Sequence, residues 1–140
     1  MKTYTLETKL THYIVPILTA LFLAGCSGPP SESVGKQIVE KQIQEQSKGL
    51  IKLVSFRKTN ATGGDSAYQM EYEVEIEFAD DVRVFRDAMM AGPFYAERGV
   101  VSPTLFMMQQ RRKGEKLKQT GTLGFEKTEK GWRGPDGVVY

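Results

Sequence analysis

Tyr68-Gln69-Met70-Glu71-Tyr72-Glu73-Val74-Glu75-Ile76-Glu77-Phe78 alternates apolar and polar residues without a break. Tyr68, Met70, Tyr72, Val74, Ile76 and Phe78 fall on one face, and Gln69, Glu71, Glu73, Glu75 and Glu77 on the other. A period of two over this length predicts a strand with one dry and one wet face, hence an antiparallel sheet. Burying six such side chains contributes ~1.5–3 kcal/mol each, or about 9–18 kcal/mol as an upper bound, so this strand is expected at the centre of the core. The glutamates read as a solvated face. Carboxylates about 6.8 Å apart on a straight strand cannot wrap a calcium ion, so no metal site is expected. Lys52, Lys58, Lys116 and Lys118 are the expected cross-strand counter-charges.

Downstream, Lys116 to Lys127 alternates again, with Leu117, Leu123 and Phe125 inward and Gly121 on their side. Thr128-Glu129-Lys130-Gly131 has the chemistry of a hairpin turn, and Trp132 opens the return strand. Pro135-Asp136-Gly137 breaks that strand before Val138-Val139-Tyr140. A lone tryptophan beside a hairpin turn is expected to cap the core rather than to stack on a sugar. Upstream, Leu50 to Thr59 has strand composition, and Asn60 to Ser66 is turn chemistry nearly throughout. The double glycine at Gly63-Gly64 is no phosphate cradle, because no Gly-Lys-Ser/Thr follows it. Before that, Glu32 to Lys48 predicts a helix capped by Ser31 or Ser33 and stopped at Gly49. Its Val34, Ile38, Val39 and Ile43 form a broad apolar side, expected to cover the sheet.

Ala79 to Gly114 is the least patterned region. Val82 to Met90 reads either as an extension of the strand or as a short helix, ended by Gly92-Pro93. Ser102-Pro103, then Thr104 to Lys113 and Gly114, carries the punctuation of a helix: cap, first-turn proline, basic end and glycine stop. Met89, Met90, Phe94, Tyr95, Phe106, Met107 and Met108 make the region unusually apolar for a loop. Two readings follow: an adaptable surface for a partner, or a lid folded over the open end of the core. The basic cluster Arg111-Arg112-Lys113, with Lys116 and Lys118, reads as a solvated face opposite the glutamates.

At the other end, Lys2 and Lys9 precede an apolar run from Tyr13 to Phe22, and Leu23-Ala24-Gly25-Cys26 closes it. A spanning helix needs roughly 20 mostly apolar residues, and this run is shorter and holds Pro16. The pattern is that of a secretory leader. The last four residues look like a bacterial lipobox, which implies a leader over 1–25, cleavage between Gly25 and Cys26, and a lipidated Cys26. The resemblance to bacterial lipoproteins implies a diacylglycerol thioether on the sulfur and an acyl chain such as palmitate on the amine. One chain holds a protein marginally, whereas two or three hold it firmly, at about 0.8 kcal/mol per buried methylene. Cys26 is the chain's one cysteine, so lipidation also accounts for an odd thiol in an exported protein. Ser27 in place of an aspartate implies, for a Gram-negative host, the periplasmic face of the outer membrane. Residues 26–33 read as a tether and 34–140 as one domain.

Cleavage removes His12, the only histidine. Histidine-dependent triads, Cys-His nucleophiles and His-ligated zinc are thereby excluded from the exported part. That part carries 17 Lys and Arg (19 less Lys2 and Lys9) against 16 Asp and Glu (17 less Glu7). No overall field selects a polyanion, and no nucleic-acid partner is expected. No catalytic residue and no cofactor is assigned. An enzyme using carboxylates such as Asp80 and Asp81 is the remotest reading.

These elements add up to an α+β fold, with one N-terminal helix packed on a curved antiparallel sheet of about four strands. A long irregular insertion precedes the C-terminal hairpin. Tyr72 to Phe78 and Gly121 to Trp132 resemble small bacterial lipoproteins whose bodies are similar to the cystatin or nuclear-transport-factor-2-like group. That resemblance implies a roll and no catalytic motif. The functional expectation is a non-enzymatic, membrane-anchored envelope lipoprotein, acting as a binding or accessory module for an envelope protein partner. Met89, Met90, Phe94, Tyr95, Phe106 and Met107 are its expected partner surface. The alternative is a carrier of a small apolar ligand held between sheet and insertion.

Overall fold

The computed structural model describes residues 28–86, 92–99 and 107–140. Helix α1 spans Glu32–Ser47 and opens on Ser31, whose hydroxyl accepts from the Val34 amide at 3.5 Å. Gly35, Ile38, Val39, Ile43 and Ser47 are its buried residues, spaced three and four apart on one side. It ends at Lys48, which takes a left-handed conformation (φ 51°) and returns its amide to the Gln44 carbonyl at 3.0 Å. Pro30, expected in the tether, is already buried.

Strands β1 (Ile51–Gly63), β2 (Ala67–Phe78), β6 (Lys116–Thr128) and β7 (Gly131–Arg133) form one antiparallel sheet in the order β1-β2-β6-β7. β2 behaves as its alternation predicts: Tyr68, Met70, Tyr72, Val74, Ile76 and Phe78 are all buried. α1 packs on this dry face, chiefly against β1. Gly35 allows the close approach, since a Cβ there would lie 2.5 Å from Met70 Sδ and 3.0 Å from Phe56 Cζ. Trp132 is buried at the far edge, 5.9 Å from the Tyr68 ring, with Lys127 over its own ring at 4.8 Å. After β7 the chain turns back, and Trp132 and Tyr140 exchange both backbone hydrogen bonds.

On the wet face, Lys52, Glu77 and Lys116 share one row across three strands, Lys118 stands opposite Glu75, and Arg57 pairs with Glu73 at 3.3 Å. Lys58 departs from the expected arrangement. Register shifts between Leu53 and Ser55 and between Lys58 and Asn60 change the phase of β1. Lys58 therefore faces Tyr72 on the dry side, and its ammonium donates to the Tyr68 hydroxyl at 2.6 Å. Arg57 takes the counter-charge place instead.

The stretch expected to be an irregular insertion contains a second antiparallel sheet. β3 (Val82–Phe85) lies between β4 (Glu97–Arg98) and β5 (Met108–Arg111). Its register continues that of the main sheet. Glu77 pairs with Lys116, and Val82 pairs with Arg111, five residues on along one arm and five back along the other. β2–β3 and β5–β6 are thus the two arms of one long ribbon, bent at residues 79–81 and 112–115. Gly114, with φ 78°, donates to the Phe78 carbonyl at 2.8 Å inside the bend. The helix expected over Thr104–Lys113 is corrected for Met108–Arg111, where cross-strand pairing overrides the helix punctuation; residues 104–106 lie outside the described residues. Val82, Val84, Phe94 and Ala96 join Ile51, Ile76 and Phe78 in one core, so the bent end folds back over the main sheet.

Candidate functional site

The bend brings two layers together beside the end of α1. Gln46, on the last turn of the helix, accepts the Phe94 amide at 3.0 Å. Gly92, at φ 95°, lies against the same amide group, and a Cβ there would be 2.7 Å from Gln46 Oε1. Phe94 is then driven into the core, at 1% exposure.

Between the layers lies a cavity of about 170 Å³. The main sheet contributes Ile76, Phe78, Leu117 and Gln119, and the bent end contributes Val84, Phe85, Tyr95 and Gln109. Gln119 Oε1 is buried there without a hydrogen-bond partner among the described residues. An unsatisfied buried acceptor costs about 1–3 kcal/mol, so this point favours an N–H or O–H donor, and Arg86, Tyr95 and Gln109 add further polar side chains to the lining. The volume falls below the roughly 300–1,000 Å³ of ordinary small-molecule sites. Tyr72, Phe78, Phe125 and Trp132 fill the rest of the interior, none more than 5% exposed.

Charged groups ring the outside of the bent end. Arg83 donates to Glu97 Oε2 from Nε at 2.9 Å and from Nη2 at 2.7 Å, while the Tyr95 hydroxyl donates to the other carboxylate oxygen. The Tyr95 ring packs against Phe85 in a tilted arrangement, with centroids 5.3 Å apart. At the bend, Glu115 accepts the Arg112 amide at 3.0 Å and Arg111 Nη1 at 2.5 Å. The Arg112 amide, followed by the Arg111 guanidinium, holds the Glu115 carboxyl below its ordinary pKa. Asp81 accepts the Lys113 amide at 2.8 Å, and Asp80 pairs with Arg98 at 3.3 Å. Asp80 and Asp81 therefore brace the bend.

Of the residues expected on a partner surface, Met107 is half exposed, at 50%, and Tyr95 is half-buried. Phe94 is corrected to a core residue, because its amide is drawn in by Gln46. Met89, Met90 and Phe106 lie outside the described residues, as do Gly25 and Cys26. The bent end does fold against the open end of the core, as the lid reading expects. Gln46, Gln109 and Gln119 were not singled out. Gln119 carried a readable signal: it shares the inward phase of Leu117, Leu123 and Phe125, an amide where the pattern asks for an apolar side chain.

Among the described residues, no helix is long and apolar enough to cross a membrane. Nor does any group of three or more His, Cys, Asp or Glu among them form a metal site. Compared with protein-family models, curated proteins and solved structures, the chain matches none.

Proposed function

We propose that this chain is a lipid-anchored accessory protein of a bacterial cell envelope, non-enzymatic, whose body binds another envelope component. The observation that carries the proposal is Leu23-Ala24-Gly25-Cys26, which closes a short apolar run after two lysines. Cleavage before Cys26 leaves only a few residues between the lipid and α1, so the body sits close to the bilayer. In a Gram-negative host, Ser27 favours the periplasmic face of the outer membrane. The one-helix, antiparallel-sheet body is compatible with a curved roll of the cystatin or nuclear-transport-factor-2-like kind. Apart from the small cavity beside Gln119 the interior is filled, which supports a role exercised at the surface.

A second reading has one observation in its favour. The cavity beside Gln119 would take a ligand about the size of benzene that carries a hydrogen-bond donor for the Gln119 carbonyl oxygen. On that reading the protein is a carrier of small, mostly apolar molecules.

Mass spectrometry of the protein from its own membranes tests the main proposal. The expected species begins at Cys26 and carries the mass of a diacylglycerol and an acyl chain, and Cys26→Ser releases it from the membrane fraction. An unmodified thiol, or a retained leader, overturns it.

A further inference from the structure

The two long strands treat their outer edges differently. β1 has two register shifts and carries Lys52, Arg57 and Lys58. Its Lys58 amide is covered by the Glu32 carboxylate at 3.2 Å. Bulges, basic residues and covered donors are the devices that stop an edge strand from recruiting another. β6 lacks them over Leu117–Phe125. It pairs with β2 without a shift, holds no proline and has Lys118 as its one charged residue there. β7 takes its far side only from Glu126 to Thr128. Among the described residues, nothing pairs with Leu117–Phe125 on the side away from β2.

Alternation decides which residues offer their backbone on that side. The Lys127 amide turns inward, donating to the Ser66 carbonyl beside β2. Counting down by twos, the odd-numbered residues of β6 face β2, and Lys118, Thr120, Thr122 and Gly124 present N–H and C=O outward. These four are symmetric about Gly121.

We infer that two copies of this chain join through their β6 edges, antiparallel, with the two-fold axis at Gly121. The product is a continuous sheet in the order β1-β2-β6-β6-β2-β1. In this register Thr120 stands opposite Thr122 of the second copy and Lys118 opposite Gly124, so the outward backbone groups of these four residues all find partners. Leu117 meets Phe125 on the dry side, and Thr120 and Thr122 form cross-strand pairs on the wet side. The pairing ends at Leu117 opposite Phe125, because β7 already holds the far side of Glu126 and Lys127. Moving the axis to Leu117 or Gln119 loses backbone partners, and an axis at Leu117 also sets Lys116 against Lys118. Gly121 on the axis faces its counterpart in a closely spaced, non-hydrogen-bonded pair, as Gln119 with Leu123 and Leu117 with Phe125 do on either side.

The test is disulfide trapping in intact cells, with two differently tagged copies of the full chain. Thr120→Cys in one copy and Thr122→Cys in the other are expected to crosslink, because their Cα atoms come within the 4.4–6.8 Å range of a disulfide. Thr62→Cys, on β1, is expected to trap at least tenfold less with either. Adding Thr120→Lys to the Thr122→Cys copy, and Thr122→Lys to the Thr120→Cys copy, sets lysines beside the trapped pair and is expected to abolish the crosslink. Analytical ultracentrifugation of the full chain in detergent is expected to give a dimer, and the Thr120→Lys/Thr122→Lys double variant a monomer with unchanged circular dichroism. A monomeric parent chain, trapping that ignores register, or capture of a different protein by the Thr120→Cys or Thr122→Cys copy in place of the second copy would each overturn the inference.

Discussion

Tyr72 stands directly across the ladder from Gly121, and its ring occupies the space that a side chain at Gly121 would fill. A Cβ there would sit 2.5 Å from Tyr72 Cζ. Burial also pushes the Tyr72 phenol above its ordinary pKa. Gly121→Ala must displace a ring that is 5% exposed, so it is expected to destabilise the fold by about 1–3 kcal/mol. Gly124→Ala, whose new methyl meets nothing within 4 Å, is expected to stay within about 0.5 kcal/mol of the parent. Urea midpoints at constant m-value measure both. Equal effects at the two glycines would refute the packing argument.

Ser47 is fully buried and uses its hydroxyl twice, donating to the Ile43 carbonyl at 2.7 Å and accepting the Ile51 amide at 3.2 Å. Ser47→Ala strands that amide between helix and sheet, an expected loss of about 1–3 kcal/mol. Ser31→Ala removes a longer, exposed cap bond, and the expected cost is under about 1 kcal/mol. Thermal unfolding of the two variants should preserve this order.

The glutamate face makes a contrary case. Arg57 and Glu73 are 3.3 Å apart, but the Arg57 side chain is 64% exposed. Pairs of this kind contribute about 0–1 kcal/mol and weaken with salt. Glu73→Gln and Glu75→Gln are each expected to shift stability by less than about 1 kcal/mol at physiological ionic strength. A larger loss, read from the same urea titrations, would mean that the row does more than keep the sheet wet.

Tyr140 supplies a pH dependence. Its hydroxyl donates to Asp136 at 2.9 Å, and burial, followed by the Asp136 carboxylate, pushes its pKa up to about 12 from 10.0. The folded state thus holds the phenol proton more tightly than the unfolded chain does. The stabilisation is complete below pH 10 and is lost as pH rises towards 12. Tyr140→Phe should therefore narrow the stability gap to the parent as pH climbs through that window. A gap that is constant from pH 9 to about 11.5 would place the phenol outside the linkage.

The main sheet was legible because Tyr68–Phe78 and Lys116–Lys127 keep strict phase, and burial follows phase. The helix was legible for the same reason, from Ile38, Val39 and Ile43. Lys58 was misplaced because a register shift is a local event that leaves no mark in an alternating pattern. β5 was misread because Met-Gln-Gln-Arg has no strong preference of its own, and its partner β3 lies more than twenty residues away. The site was less legible than the fold. Phe94 looked like surface because nothing near it in sequence says that Gln46 will draw its backbone inward. Gln119 was visible by phase, yet the cavity beside it exists only once the ribbon bends.

That bend makes the chain sensitive to counting. Because one register runs through both sheets, losing a single residue from 79–81 or 112–115 would leave Val82 and Val84 out of step with β5 and turn them toward water. The cavity walls would invert with them, although no wall residue had been altered. Length between Phe78 and Val82 is therefore as strict a requirement on this protein as any side chain it carries.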